Sequence, residues 1–128
     1  MTSQPICQKN QTTPEYFFKE GCYITEWWND GADPSLSVAR ARVDPGVTTR
    51  VHRLHGITER YVILEGKGEA SIEGLGKRTV LPGDVLIIPP SARQSIHNPG
   101  PEPLVFLALC TPRFTVEAYE DVESTDPG

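Results

Sequence analysis

The chain has few of the features that would place it in the commonest functional classes. Its three cysteines, Cys7, Cys22 and Cys110, are odd in number and far apart, with no CxxC pair. That excludes the usual zinc and dithiol redox motifs and suits free thiols in a reducing compartment. No basic run is present that could neutralise phosphates, so nucleic acid is not an expected partner. No apolar stretch approaches the length of a membrane span, and the opening MTSQPICQKNQTTPEYFF lacks a basic region followed by an apolar core. A soluble, cytoplasmic protein without membrane contact is expected.

Lysine and arginine are missing beyond Arg113, where Glu117, Glu120, Asp121, Glu123 and Asp126 lie. Taking those five from the 17 acidic residues leaves 12 against 12 basic ones, so the net charge of −5 belongs to the C-terminal segment. Residues 117–128 are therefore expected to form a solvated acidic tail. Residues 1–15 are polar and contain Pro5 and Pro14, which suits a flexible N-terminal arm. A length of 128 residues leaves room for one domain, placed at 16–116.

What the chain does have is turns. Its 12 prolines and 11 glycines are dispersed among short apolar and β-branched runs at 22–28, 36–43, 60–64, 69–72, 78–81, 85–88, 94–97 and 104–110. The separators NDGADP, EGKG, EGLGK, LPGD, IPPSA and NPGPEP are turn sequences. No segment keeps a sustained helical period, and only 116–122 suits a short terminal turn. The pattern predicts an all-β sandwich or barrel of antiparallel hairpins.

Two blocks carry the chemistry: PGVTTRVHRLHGITERYVILEG at 45–66 and GDVLIIPPSARQSIHN at 83–98. Imidazole nitrogen and carboxylate oxygen converging from different strands suit Mn, Fe, Ni or Zn better than Ca or Mg. Strand alternation puts Glu59, Tyr61 and Ile63 on one face and Arg60, Val62 and Leu64 on the other. Gln94, Ile96 and Asn98 share a second face, with His97 opposite and expected in solvent. A regular strand that carries His52 inward sends Leu54 inward and His55 outward, unless a bulge at Gly56 reverses the parity.

The two blocks resemble the paired motifs of the cupin superfamily. In the first, Gly46 is followed after five residues by His52, and Glu59 after six by Gly66; in the second, Gly83, Pro89 and Asn98 hold their places. Leu54 stands where a second histidine belongs, Gln94 replaces the histidine of the second block, and Ser91 replaces a turn glycine. The resemblance implies a cupin double-stranded β-helix (jelly-roll) barrel. It also implies a divalent transition metal on His52, Glu59, Gln94 and, in the bulged alternative, His55, with Tyr61 orienting a substrate.

Several residues keep two readings. Gln94 is either a weak neutral ligand or a hydrogen-bonding pocket residue, and His55 either a ligand or a surface imidazole. Arg40 and Arg42 share a face with Leu36 and Val38, so either the arginines reach the cavity, which would favour a carboxylate-bearing substrate, or those apolar residues face a partner subunit, and Arg113 is placed to cap the pocket mouth. Two functions compete: a metal-dependent oxygenase, isomerase or lyase acting on a small polar molecule, and a non-catalytic cupin that binds a metal or small ligand. A homodimer is expected from the N-terminal arm and the exposed aromatic strands.

Overall fold

The computed structural model describes residues 4–9 and 14–123. The strands are β1 (Tyr16–Phe18), β2 (Cys22–Trp28), β3 (Ser37–Val43), β4 (His52–Leu54), β5 (Thr58–Glu65), β6 (Gly68–Ile72), β7 (Gly76–Val80), β8 (Val85–Ile88), β9 (Gln94–His97), β10 (Leu104–Thr111) and β11 (Tyr119–Asp121). A single 3-10 turn, Val116–Ala118, precedes β11, and no α-helix occurs among the described residues. Among the described residues no helix is long and apolar enough to cross a membrane.

The strands form two antiparallel sheets, ordered β1-β2-β3-β10-β5-β8 and β11-β4-β9-β6-β7. Their facing sides enclose one interior, the arrangement of a jelly roll. Alternation decides what enters it. β5 is buried at Glu59, Tyr61 and Ile63, and β9 at Gln94 and Ile96. Val43, Ile63, Ile96, Leu104 and Phe106, each at most 1% exposed, fill one end of the barrel. Asn98 closes that end by donating to the carbonyls of Val43 and Glu102, both at 2.9 Å.

Gly66 of the first motif has a structural cause. It sits at φ +80°, and a Cβ there would strike the Pro103 carbonyl, so only glycine allows the β5–β6 turn to pass beneath that loop.

Three strands lie outside the predicted runs: β1, β4 and β11. Each is only three residues long and gains its place from a partner rather than from local propensity. β4 pairs with β11, Leu54 opposite Tyr119 and His52 opposite Asp121. The expected solvated tail is thus corrected over 119–123, and the folded body runs past 116. The Glu120 carboxylate accepts from Arg53 Nε at 2.8 Å, that of Asp121 from Arg50 Nε at 2.6 Å, and that of Glu123 from the Val51 amide at 3.2 Å. Residues 124–128 of that tail lie outside the described residues.

The end of the N-terminal arm docks too. The Glu15 carboxylate accepts from Arg42 Nη2 at 2.9 Å and lies 3.6 Å from Arg40 Nη1, while residues 1–3 and 10–13 of the arm lie outside the described residues. These pairs fix Arg40 and Arg42 on the outer side of β3, away from the interior, where Arg42 also stacks on Tyr23 at 4.2 Å.

Candidate functional site

One end of the barrel interior is polar. Gln94, 1% exposed, stands between two partners from β5: its Nε2 donates to Glu59 Oε1 at 3.0 Å, and its Oε1 accepts from the Tyr61 hydroxyl at 2.7 Å. Glu59 Oε2 lies 3.8 Å from Cys110 Sγ. His52 reaches the same region from β4, opposite Gln94 in the β4–β9 register. Its Nδ1 lies 2.7 Å from the Arg50 carbonyl, which can only accept, so Nδ1 carries the hydrogen and Nε2 is left to face the Glu20 carboxylate at 3.7 Å. Tyr119 stacks against the imidazole, centroids 5.2 Å apart.

Beside this cluster a cleft of about 470 Å³, including its open mouth, lies on the inner face of the larger sheet. Cross-strand register builds its floor in rows. Glu59 pairs with Cys110, which pairs with Ser37; next to them Glu26 pairs with Ala39, which pairs with Ala108. Ala39 and Ala108, directly opposed, carry too little side chain to fill the interior, and the cleft occupies the space they leave. Phe18, Tyr16 and Phe114 form its wall, and Glu20 lines it beside Glu59. An outer vestibule shares Tyr16, Phe18, Glu26, Asn29 and Phe114 and adds Arg113, whose Nη1 donates to Asn29 Oδ1 at 2.8 Å.

The acidic surroundings shift the groups that titrate. Burial and then the nearby Glu20 charge push the Glu59 carboxyl up from 4.5 to about 7, against the opposing pull of His52 and Gln94. Burial, reinforced by Glu26, raises the Tyr16 hydroxyl to about 12. Burial raises the Cys22 and Cys110 thiols strongly, with Glu20 adding to the first and Glu59 to the second. Both stay protonated at neutral pH and are poor nucleophiles.

The structure thus brings together His52, Glu59, Gln94 and Tyr61, and it leaves His55 out. β4 ends at Leu54 without a bulge, and His55 begins the turn that Gly56 completes at φ +73°. The half-exposed His55 ring bonds Glu120 at 2.6 Å and faces Ser91 Oγ at 3.3 Å. Parity holds, and Leu54 is the inward residue, packed with Ile57, Cys110 and Tyr119. Tyr61, expected to orient substrate, stands behind Gln94 against Phe106, centroids 4.3 Å apart. His97 bonds Thr48 Oγ1 at 2.7 Å rather than entering the site.

Sequence reasoning missed Glu20, Glu26, Ser37 and Cys110 as lining residues. Glu20 sits in the β1–β2 turn, and the others alternate inward along strands whose partners the sequence does not name. The inward parity of Glu26, shared with Cys22 and Ile24, was the one available signal.

The sequence profile of the cupin domain matches residues 39–110, more than half of the chain. The chain belongs to the cupin family. A relative from Methanocaldococcus jannaschii, the uncharacterized protein MJ1618, is 33% identical over 110 residues, covering 84% of this chain and 87% of that protein. The fold is shared with the nucleoside dehydratase Pac13, at a TM-score of 0.79 and 17% identity over 96% of this chain and 95% of that one. A predicted oxalate decarboxylase from Thermotoga maritima aligns at 0.73 and 22% identity, over 83% and 98%. KdgF from Halomonas aligns at 0.70 and 19% identity, over 84% and 94%.

Transition metals are frequent in cupins. Among the described residues no group of three or more His, Cys, Asp or Glu side chains is set to hold a metal. Leu54 replaces one imidazole, Gln94 turns its nitrogen toward Glu59 and commits its oxygen to Tyr61, and His55 is at the surface. As arranged, the residues do not fit a resident ion.

Proposed function

We propose that this cupin is an enzyme of the isomerase or lyase type that moves a proton on a small polar molecule held in the cleft. The observation that carries the reading is Glu59: a carboxyl only 8% exposed, fixed by Gln94 at the inner end of an open cleft, with the His52–Glu20 pair beside it. Two proton-bearing groups with separate hydrogen-bond environments are what acid–base catalysis needs, and a carboxyl held near neutrality can both take and return a proton. In this reading Glu59 removes a proton from carbon next to a carbonyl. His52 in its imidazolium form, with a second proton on Nε2 beside the Glu20 carboxylate, supplies that proton to the oxygen that gains charge or leaves as water, and Gln94, held by Tyr61, orients Glu59. Fold relatives that act as enzymes, including a dehydratase whose variants have been seen with uridine, are in keeping with it.

A second reading retains a divalent transition metal, Mn, Fe, Ni or Zn. One observation favours it: the Nδ1–H of His52 is fixed on a backbone carbonyl, the usual support for a ligating Nε2. Such a site would need Gln94 to turn and release Tyr61.

The test is proton exchange from carbon acids in deuterated buffer, followed by NMR over a panel of hydroxyaldehydes, keto acids and amino ketones, with metal content measured on the same untagged protein. Exchange that survives chelation and vanishes in Glu59→Gln supports the first reading. Exchange lost on chelation and restored by one metal supports the second. Tight binding without exchange across the panel would leave a non-catalytic binding cupin. A cytoplasmic homodimer belongs with either reading, its contact drawn from Val85 and Ile87, 56% and 65% exposed on edge strand β8. Sedimentation giving a monomer at micromolar concentration overturns the dimer.

A further inference from the structure

The charge of the cleft is one-sided. Glu20, Glu26 and Glu59 line it, and among the described residues that do so there is no lysine or arginine. The arginines that could have reversed this are engaged elsewhere. Arg40 and Arg42 lie outside on Glu15, and Arg60 donates to Thr111 Oγ1. Arg113 stands only at the outer vestibule, where Glu117 also lies. Lys19 sits over the Tyr119 ring, 4.8 Å from its centroid, and is not part of the lining.

The remaining surfaces are apolar or aromatic. Ala39 and Ala108 form the floor, with Phe18 and Phe114 edge to face at 6.1 Å in the wall. Carboxylates at one end of an aromatic-walled slot repel an anion and attract an ammonium group. They do so more strongly than in water, because the slot is partly closed from solvent. Ring faces add to the attraction for a cation.

We propose that the cleft selects a small amine, a single ammonium on an apolar or aromatic body, and rejects carboxylate and phosphate compounds. The ammonium sits between Glu26 and the Glu20–Glu59 pair, and the body lies over the Ala39–Ala108 floor against Phe18. This rests on the cleft being the substrate site, as proposed above, but not on any turnover there.

The test is a matched series on one scaffold: tyramine, tyrosol and 4-hydroxyphenylacetate, titrated against the full chain by NMR chemical shift at neutral pH and low salt. The expected order is amine, then alcohol, then acid, each step about tenfold in Kd, the difference between a charge-assisted and a neutral hydrogen bond. Glu26→Gln, which removes a half-buried charge at the mouth, narrows the amine-to-alcohol ratio to about threefold or less. Ala108→Leu, which fills the floor, abolishes binding of all three while the protein still unfolds cooperatively.

An acid that binds as tightly as the amine overturns the inference. So does failure of all three to bind at millimolar concentration, or an amine preference unchanged in both variants. If the amine binds as expected and no carbon acid exchanges its protons, this inference stands and the catalytic reading falls. Turnover of an anionic compound with the opposite binding order does the reverse.

Discussion

The two ends of the barrel interior are made by the same strands, yet they obey different rules. Along β5 the inward series runs Glu59, Tyr61, Ile63, and along β9 it runs Gln94 and Ile96, so each strand passes from a hydrogen-bonded cluster into an apolar core within two or three residues. At the apolar end, stability comes from area removed from water and from close packing, and neighbours are interchangeable within limits of volume. At the polar end the buried polar groups of β5 and β9 depend on named partners. Tyr61 holds Gln94, Gln94 holds Glu59, and a missing member leaves the next one buried and unpaired.

The largest break in this contrast is expected at the apolar end. Phe106, 1% exposed and packed on Tyr61, should cost about 3–5 kcal/mol on replacement by alanine, read as a fall in the urea midpoint at unchanged slope.

The next is a pH effect from the polar end. Glu59 keeps its proton in the fold up to about 7 but loses it near 4.5 once unfolded. The unfolded chain therefore binds fewer protons between those values, and stability falls as pH rises through that window, by roughly 3 kcal/mol in total. Glu59→Gln should flatten this dependence and be the more stable protein at pH 8. A wild-type stability that rises from pH 5 to pH 7.5 counts against the protonated buried carboxyl.

Gln94→Leu strips the partners from both the Tyr61 hydroxyl and Glu59 Oε1, at an expected cost of about 1–3 kcal/mol. It should also move the midpoint of the pH transition upward, because the Gln94 hydrogen bond pulls the Glu59 value down. Tyr61→Phe removes a single hydrogen bond and keeps the ring on Phe106, for about 1 kcal/mol. The smallest effect belongs to His55→Ala, whose ring pairs at the surface with Glu120. The urea midpoint and any metal content should match those of the wild type within error, and a loss of bound metal would return His55 to the site.

The residues that could be placed from sequence share one property. Glu59, Tyr61 and Gln94 fall on regular alternating strands and Asn98 directly follows β9, so motif spacing and parity were enough to turn them inward. His55 was ambiguous because its side depended on whether the chain bulges at Gly56 or turns there. β11 was missed because three residues, Tyr119–Asp121, carry no pattern of their own and look like acidic tail until β4 is beside them. The metal expectation followed the family motif. What the motif cannot convey is that an amide in place of an imidazole is free to bond its neighbours instead of an ion.

The sequence by itself therefore determined an all-β cupin barrel, its turn glycines, and the inward parity of the two motif blocks, since a period of two is a local property of the chain. Only the tertiary structure decided that Ser37 and Cys110 stand beside Glu59, that Glu20 faces His52, and that Ala39 meets Ala108 to leave a cleft. Those neighbours come from strands many residues apart, and their register is set by packing the two sheets around one interior rather than by anything readable in either strand alone.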